Sequence, residues 1–349
     1  MIPPIFHVIV TSRVTPWCNG STTVFGSVCQ GSNPCGVATS PALSAGVAFL
    51  LLKMKESSFL RTLLILGRIS NLPTIWTNVA VGWFLSGGGW TTELLWVIAG
   101  MSLLYLAGMT LNDAFDAEWD RENAPERPIA GGHISAKTVW VIGFAQMLGG
   151  AALILFFTSV HPFLLGGLVF AILLYNWLHK HWAGSVIIMG LCRAFVYLGA
   201  GSAVAAQASS IELPEPVYIV ALGVILYIAG LTLAARSEHL KSPGGLPFST
   251  RIMLMSPVLF PLFGSRMLQP GSSPIQIALI IIGLFGIWSW LVIMLKALRE
   301  RVPKGIAFAI AGIAFYDAAI VAFADWRAAV ACLACFALTL FAQRYIPAT

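Results

Sequence analysis

Residues 112–120 read Asn-Asp-Ala-Phe-Asp-Ala-Glu-Trp-Asp, four acidic residues in nine, in a chain that is only 10% charged. They follow the apolar run Leu94–Leu111, which is long enough to cross a bilayer. Carboxylates at the end of such a run are expensive unless they bind a cation. If the helix continues past Leu111, then Asn112, Asp116 and Asp120 fall at i, i+4 and i+8 on one face. Hard oxygen donors on one stripe suit Mg²⁺, which takes carboxylates plus water and shares a bound phosphate. Asp113 is a further candidate ligand beside them. Arg121 and Arg127 follow at once, and guanidinium groups match phosphate oxygens in pairs. Metal plus arginine at a membrane end implies a diphosphate site. The plainer alternative is a solvated acidic helix with Asp–Arg pairs.

The same residues carry a resemblance. Asn112-Asp113-x-x-Asp116-x-x-x-Asp120-Arg121, followed by Arg127-Pro128-Ile129-Ala130-Gly131-Gly132, resembles the first aspartate-rich motif of the UbiA superfamily of membrane prenyltransferases. Leu66–Thr74 is similar to that family's first helix. Tyr175-Asn176 with Lys180, then Gly190-x-x-Arg193, resembles its connection from fourth to fifth helix. The resemblance covers roughly residues 60–345 and implies Mg²⁺-dependent transfer of a prenyl group from a prenyl diphosphate to an aromatic or other lipophilic acceptor. It implies Asn112, Asp113, Asp116, Asp120 and Glu238 as metal ligands, with Asp116, Asp120 and Lys180 catalytic. Arg68, Asn71, Asn78, Arg121, Arg127, Tyr175, Asn176, Arg193 and Arg236 are the substrate-binding candidates. Arg127, Lys180 and Arg236 would absorb negative charge on the leaving group. Trp76, Phe115, Trp119, Tyr175 and Tyr197 offer aromatic faces to an allylic cation.

The chain departs from this pattern at the second acidic motif. Ala234-Ala235-Arg236-Ser237-Glu238-His239 holds one carboxylate, and His is a poor partner for a hard cation. A depleted motif leaves open a non-catalytic isoprenoid-binding or transport membrane protein. A transporter would show two similar halves with interrupted helices, whereas the acidic motif has only a faint echo at 236–239.

The elements that must position these residues are helices. Hydrophobic residues make up 58% of the chain and mean hydropathy is +0.85. Sheet edges cannot satisfy their backbone in lipid, so the chain reads as an all-α polytopic membrane bundle of nine or ten transmembrane helices around a central cavity. The spans are 68–87, 94–112, 137–157, 162–178, 185–206, 217–235, 275–298, 304–323 and 327–345, with a weaker one at 252–266. Lys and Arg concentrate in alternate loops, which puts the N-terminus and the site loops on the cytoplasmic side and favours ten crossings. The net charge of +6 is spent on this asymmetry, so the surroundings are membrane lipid and nucleic acid is no partner.

Residues 1–53 read as a disordered, spurious extension ahead of a transmembrane domain at 54–349. Gln30–Cys35 can be encoded by a perfect hairpin similar to the T-arm of a transfer RNA, so translation is expected to begin near Met54. Asn71 and Asn78, seven apart, share a face that lines an acceptor pocket or else glues helices together. Arg68 reaches the site or snorkels to the interface. Arg193, inside a span, needs a partner in space: a phosphate or a carboxylate of the first motif. Cys332 and Cys335 read as packing, and Asp317 interrupts a span without an assigned role.

Overall fold

The structure, a computed structural model, describes residues 59–208, 212–237, 246–258 and 274–348. The extension at 1–53, the start at Met54, and Glu238 and His239 all lie outside those residues. Among the described residues there are twelve α-helices and two 3-10 turns, with no strand. They are α1 Phe59–Leu66, α2 Pro73–Leu85, α3 Thr92–Phe115, α4 Ala117–Asn123, α5 Ala136–Phe157 and α6 Pro162–Leu178. Then follow α7 Ser185–Gln207, α8 Glu215–Ser237, α9 Phe248–Leu254, α10 Pro274–Glu300, α11 Val302–Val321 and α12 Trp326–Ala342. Six of them, α3, α5, α7, α8, α10 and α11, are long and apolar enough to cross a membrane.

The span expected at 68–87 is interrupted. α1 stops at Leu66, Arg68 adopts the left-handed conformation (φ 42°, ψ 51°), and a 3-10 turn covers Ile69–Asn71. Pro73 then opens α2, where its missing N–H is not needed and its fixed φ already suits a helix. A non-glycine residue at positive φ costs on the order of 1–3 kcal/mol and persists only where its surroundings demand it. Here Tyr105 Oη donates to the Arg68 carbonyl at 3.2 Å, and the Arg68 side chain reaches Asp113 at 3.9 Å.

Polar ties fix which helix ends lie together. Glu93, at the start of α3, accepts from Ser159 N at 2.5 Å and from Gln207 Nε2 at 2.6 Å. Trp90 Nε1 donates to Asp325 Oδ2 at 3.2 Å, and Asp325 caps α12 by accepting from Arg327 N and Ala328 N. The opposite end gathers Arg68, the C-terminal ends of α3 and α6, and Arg236 of α8. α10 and α11 run antiparallel, with Gly305 against Leu298, Gly312 against Trp290 and Gly286 against Phe315. α8 and α10 both end at the site end of the bundle, and residues 246–258 are described between them. That segment lies along α8: Gly230 faces Met253 and Leu254, and Ser256 Oγ donates to the Gly223 carbonyl at 3.0 Å.

Small residues let the backbones approach, as association within lipid requires. A Cβ at Gly82 would collide with the Tyr197 carbonyl, so α2 and α7 touch along their backbones; one at Gly190 would meet Ile225 O of α8 at 2.7 Å. Val141, Leu148 and Leu155 recur every seven residues on α5 and are exposed, an apolar stripe suited to acyl chains. Cys332 and Cys335 are free thiols on α12, the first buried in the core. Overpacking a close contact typically costs about 1–3 kcal/mol. Gly82→Ala should therefore lower the unfolding midpoint of detergent-solubilised protein. Gly89→Ala, with nothing within 4 Å of the added carbon, should not. Equal midpoints for both variants would contradict the α2–α7 contact.

Candidate active site

The acidic stretch is not one continuous helix. α3 ends at Phe115, and Asp116 (φ −84°, ψ −3°) is the joint to α4. The helical stagger survives nonetheless, because Asp116 N donates to Asn112 O at 3.0 Å and Asp120 N to Asp116 O at 2.9 Å. Asn112, Asp116 and Asp120 are 6%, 4% and 2% exposed, and Asp113 is buried beside them. Phe115, Glu118 and Trp119 point outward. Sequence spacing thus leads to one buried, oxygen-rich face.

Cations converge on that face from three places: Arg68 before α2, the turn after α4 and the end of α6. After α4 the chain turns back, with Gly131 N donating to Arg127 O and His133 N to Pro128 O, and it enters α5 through the Ser135 cap. This places Arg127 Nη1 at 3.2 Å from Asp120, 3.3 Å from Asp113 and 3.8 Å from Asp116. From the end of α6, Lys180 Nζ lies 3.4 Å from Asp116 and His179 Nε2 lies 3.1 Å from it. The Lys180 ammonium also sits 3.5 Å from the centre of the Trp119 ring. Asn176 completes the packing: it donates to Gly108 O at 3.1 Å and accepts from Asn112 Nδ2 at 3.2 Å.

The carboxylates do not share one electrostatic fate. Burial works to raise the affinity of Asp116 for a proton. The His179 contact and the charges of Lys180 and Arg127 outweigh it, so the group is held below the usual carboxylate range. Burial prevails at Asp120 over the attraction of Arg127, and the charges of Asp116 and Asp113 push it further above that range. Asp120 Oδ1 is buried without a hydrogen-bond partner. Such an orphan acceptor is costly, and it is what a cation ligand looks like without its cation. Among the described residues, no three His, Cys, Asp or Glu side chains are gathered as a ready metal cage; Arg127, Lys180 and Arg68 do the neutralising. In donor chemistry, Asn112, Asp113, Asp116 and Asp120 fit a hard cation such as Mg²⁺.

Below the cluster a cavity of about 220 Å³ opens into the bundle. Its upper part carries Arg68, Asn71, Tyr175 and Asn176, and its walls are apolar, including Ile172, Met109 and Ile310. Tyr105 and Arg193 also line it. Of the aromatic residues expected at the site, only Tyr175 does so. Trp76 donates to Ser102 Oγ, Phe115 packs edge-on against Trp140, Trp119 lies under Lys180, and Tyr197 is buried elsewhere.

Several candidates sit differently from the sequence reading. Arg121 is exposed and makes none of the cluster's contacts, because it follows Asp120 on the outward side of α4. Arg236 does not reach the carboxylates. Its Nη2 donates to His179 O at 2.9 Å and Ser185 Oγ at 2.8 Å, and its Nη1 to Ala183 O at 3.1 Å, so it braces the α6–α7 turn that presents Lys180. Asn71 and Asn78 do not share a surface, since the break before Pro73 separates them. Asn71 donates to Ala348 O at 2.8 Å, whereas Asn78 faces Tyr197, Asp317 and Arg193. Arg193 finds neither a first-motif carboxylate nor a described acid in direct contact; it donates to Thr74 Oγ1 at 2.9 Å and Asn78 Oδ1 at 2.7 Å. His179, which contacts Asp116, Tyr105, which lines the cavity, and Asp317 are additions that no motif spacing points to. The polarity of Asp317 within a span was the available signal.

These observations define a class: a helical membrane bundle with a carboxylate–cation cluster at one end of an apolar central cavity. Residues 73–242 match the model of the UbiA prenyltransferase family. Two curated relatives are named digeranylgeranylglyceryl phosphate synthase. That from Metallosphaera sedula is 36% identical over 62 residues, covering 18% of this chain and 22% of the relative. That from Methanoculleus marisnigri is 30% identical over 100 residues, covering 29% and 34%. The chain thus spans about a fifth and a third of the length of those relatives. An apo UbiA homolog from Aeropyrum pernix K1 superposes with a TM-score of 0.60 at 17% identity, covering 72% of this chain and 96% of that one. A structure from work on digeranylgeranylglyceryl phosphate synthase in membranes gives 0.52 at 19% identity, covering 79% and 99%. At such identities the likeness concerns the fold.

If Arg236 braces the turn, Arg236→Met should accelerate amide hydrogen exchange across residues 179–187 while leaving α3 protected. Unchanged exchange there would show that the turn is held by other contacts.

Proposed function

We propose that this protein is an integral membrane prenyltransferase that moves a prenyl group from a prenyl diphosphate to a lipophilic acceptor, with its site end facing the cytoplasm. The observation that carries this reading is the convergence of Asp113, Asp116 and Asp120 with Arg127, Lys180 and Arg68 at the mouth of an apolar cavity. Breaking the C1–O bond of a prenyl diphosphate leaves negative charge on the diphosphate and positive charge on the allylic fragment. Arg127, Lys180 and Arg68 hold the diphosphate oxygens and stabilise the first charge. The Tyr105 and Tyr175 rings line the cavity and present π-faces to the second. The apolar walls take the prenyl chain and exclude water, which would otherwise capture the cation.

Mg²⁺ would be held by Asn112, Asp113, Asp116 and Asp120 and would supply Lewis-acid neutralisation of the diphosphate. Glu238 is the sole acid that the second motif offers. The family match and the names of the curated relatives support prenyl transfer. Basic residues in the loops at the site end support the sidedness.

The test is diphosphate release by purified full chain from geranyl, farnesyl and geranylgeranyl diphosphates, with and without Mg²⁺, in the presence of lipophilic acceptors. Asp116→Asn and Asp120→Asn keep the side-chain shape and should lower release by about a hundredfold or more, with the unfolding midpoint retained. Undiminished turnover in either variant would remove the cluster from the mechanism. Binding of the prenyl diphosphate without release in the wild type would instead favour a non-catalytic isoprenoid-binding protein.

A further inference from the structure

One cation of the cluster is held from two sides. Lys180 Nζ lies 3.4 Å from Asp116 Oδ2 and 3.5 Å from the centre of the Trp119 ring. An ammonium in the plane of the indole could not come that near its centre, because the ring atoms would intervene. Lys180 therefore rests on the face, where the π-system is negative, and Trp offers the strongest such face among the aromatic side chains. The placement follows from α4. That helix buries Ala117 and Asp120 and turns residue 119 outward, while Asn123 Nδ2 donates to the Trp119 carbonyl at 2.9 Å and closes the last turn.

Neither packing nor substrate accounts for this ring. Trp119 is 40% exposed, so it adds little to a core. It is not among the residues that line the central cavity, and the ammonium occupies the face that an allylic cation would need. What the ring touches is Lys180. The lysine side chain is itself 31% exposed, and a flexible four-carbon stem that open would sample solvent unless something held it.

A second carboxylate could hold it, but only by neutralising the charge and taking N–H groups. An aromatic face holds an ammonium through its quadrupole and leaves the charge in place. Asp116 is also a contested partner: His179 Nε2 lies 3.1 Å from it and Arg127 Nη1 3.8 Å. An anchor independent of Asp116 keeps Lys180 in position while that carboxylate serves its other neighbours.

We infer that Trp119 is the positioning residue of Lys180: its face carries the ammonium beside Asp116 and presents it to the diphosphate of the donor. The diphosphate rests on the prenyl-transfer reading; the hold of the ring on Lys180 does not. Fixing the cation before the donor arrives removes an ordering cost from binding and from the departure of the leaving group. The size of the effect should follow the negative character of the face rather than the volume of the side chain.

The experiment measures equilibrium binding of farnesyl thiolodiphosphate, a slowly reacting donor analogue, to the full chain in detergent with Mg²⁺. Trp119→Leu should weaken binding about fivefold to tenfold, and Trp119→Phe should recover part of that loss. A ring-fluorinated tryptophan placed at 119 keeps the shape and depletes the face, so it should bind more weakly than the wild type with the same unfolding midpoint. In the Lys180→Met background, where no ammonium remains, Trp119→Leu should change binding by less than about twofold. Such coupling is the signature of a direct interaction in a double-mutant cycle.

Equal binding by Trp119→Leu and the wild type overturns the positioning role. So does a loss of the same size in the Lys180→Met background, or unchanged binding by the fluorinated protein, since the ring would then act by packing or as a membrane-interface anchor. Coupling in a protein that binds the analogue but releases no diphosphate from farnesyl diphosphate supports the positioning role and removes the transfer reading. Release of diphosphate with an additive cycle keeps the transfer reading and overturns the positioning role, so the two fail separately.

Discussion

Three carboxylates buried at one end of an apolar bundle must be neutralised, and the architecture around them follows from that need. Desolvating each ion carries a penalty of several kcal/mol, offset only by close, well-placed counter-charges. Asp113, Asp116 and Asp120 sit on the last turn of α3, the joint and α4. Their partners come from the turn after α4, the end of α6 and the break before α2. The left-handed conformation of Arg68 and the bracing of the α6–α7 turn by Arg236 both serve to deliver cations to that point. Strain and hydrogen bonds spent outside the cluster are thus tied to the charge balance within it.

The same accounting separates the two polar regions of the cavity. At the mouth, three carboxylates meet three cations, and Asp120 Oδ1 is left without a hydrogen-bond partner. Deeper down the order is reversed: Asp317 is saturated by three donors, while Arg193 holds donors in reserve. A protein built only for stability would have filled both regions with apolar side chains, which is often neutral or better than a buried ion pair.

Much of this was legible in the sequence because it depends on local periodicity. The apolar spans, the i, i+4, i+8 spacing of Asn112, Asp116 and Asp120, and the cations at 127 and 180 are all short-range signals, and the helices and their ends follow them. Pairings across the bundle were not legible. Nothing near residue 317 in the chain announces Thr77 and Tyr197 as its partners, 240 and 120 positions away. The helical break at Arg68 was hidden by an apolar run that hydropathy reads as continuous, although Pro73 was present to mark the restart. Arg236 reads as a substrate residue because its charge is visible in sequence, whereas the carbonyls of His179 and Ala183 that occupy it carry no sequence signal.

The central claim is that the buried carboxylates and their cations form a diphosphate site completed by a divalent metal. It is tested most directly by calorimetric titration of the purified full chain with geranylgeranyl thiolodiphosphate, a slowly reacting donor analogue, at fixed ionic strength with and without Mg²⁺. Because Asp113, Asp116 and Asp120 would otherwise repel the diphosphate, the account predicts saturable binding with Mg²⁺ and binding at least about tenfold weaker without it. Equally tight binding under both conditions would contradict it, and would leave the acidic cluster a structural ion-pair network at the end of the bundle.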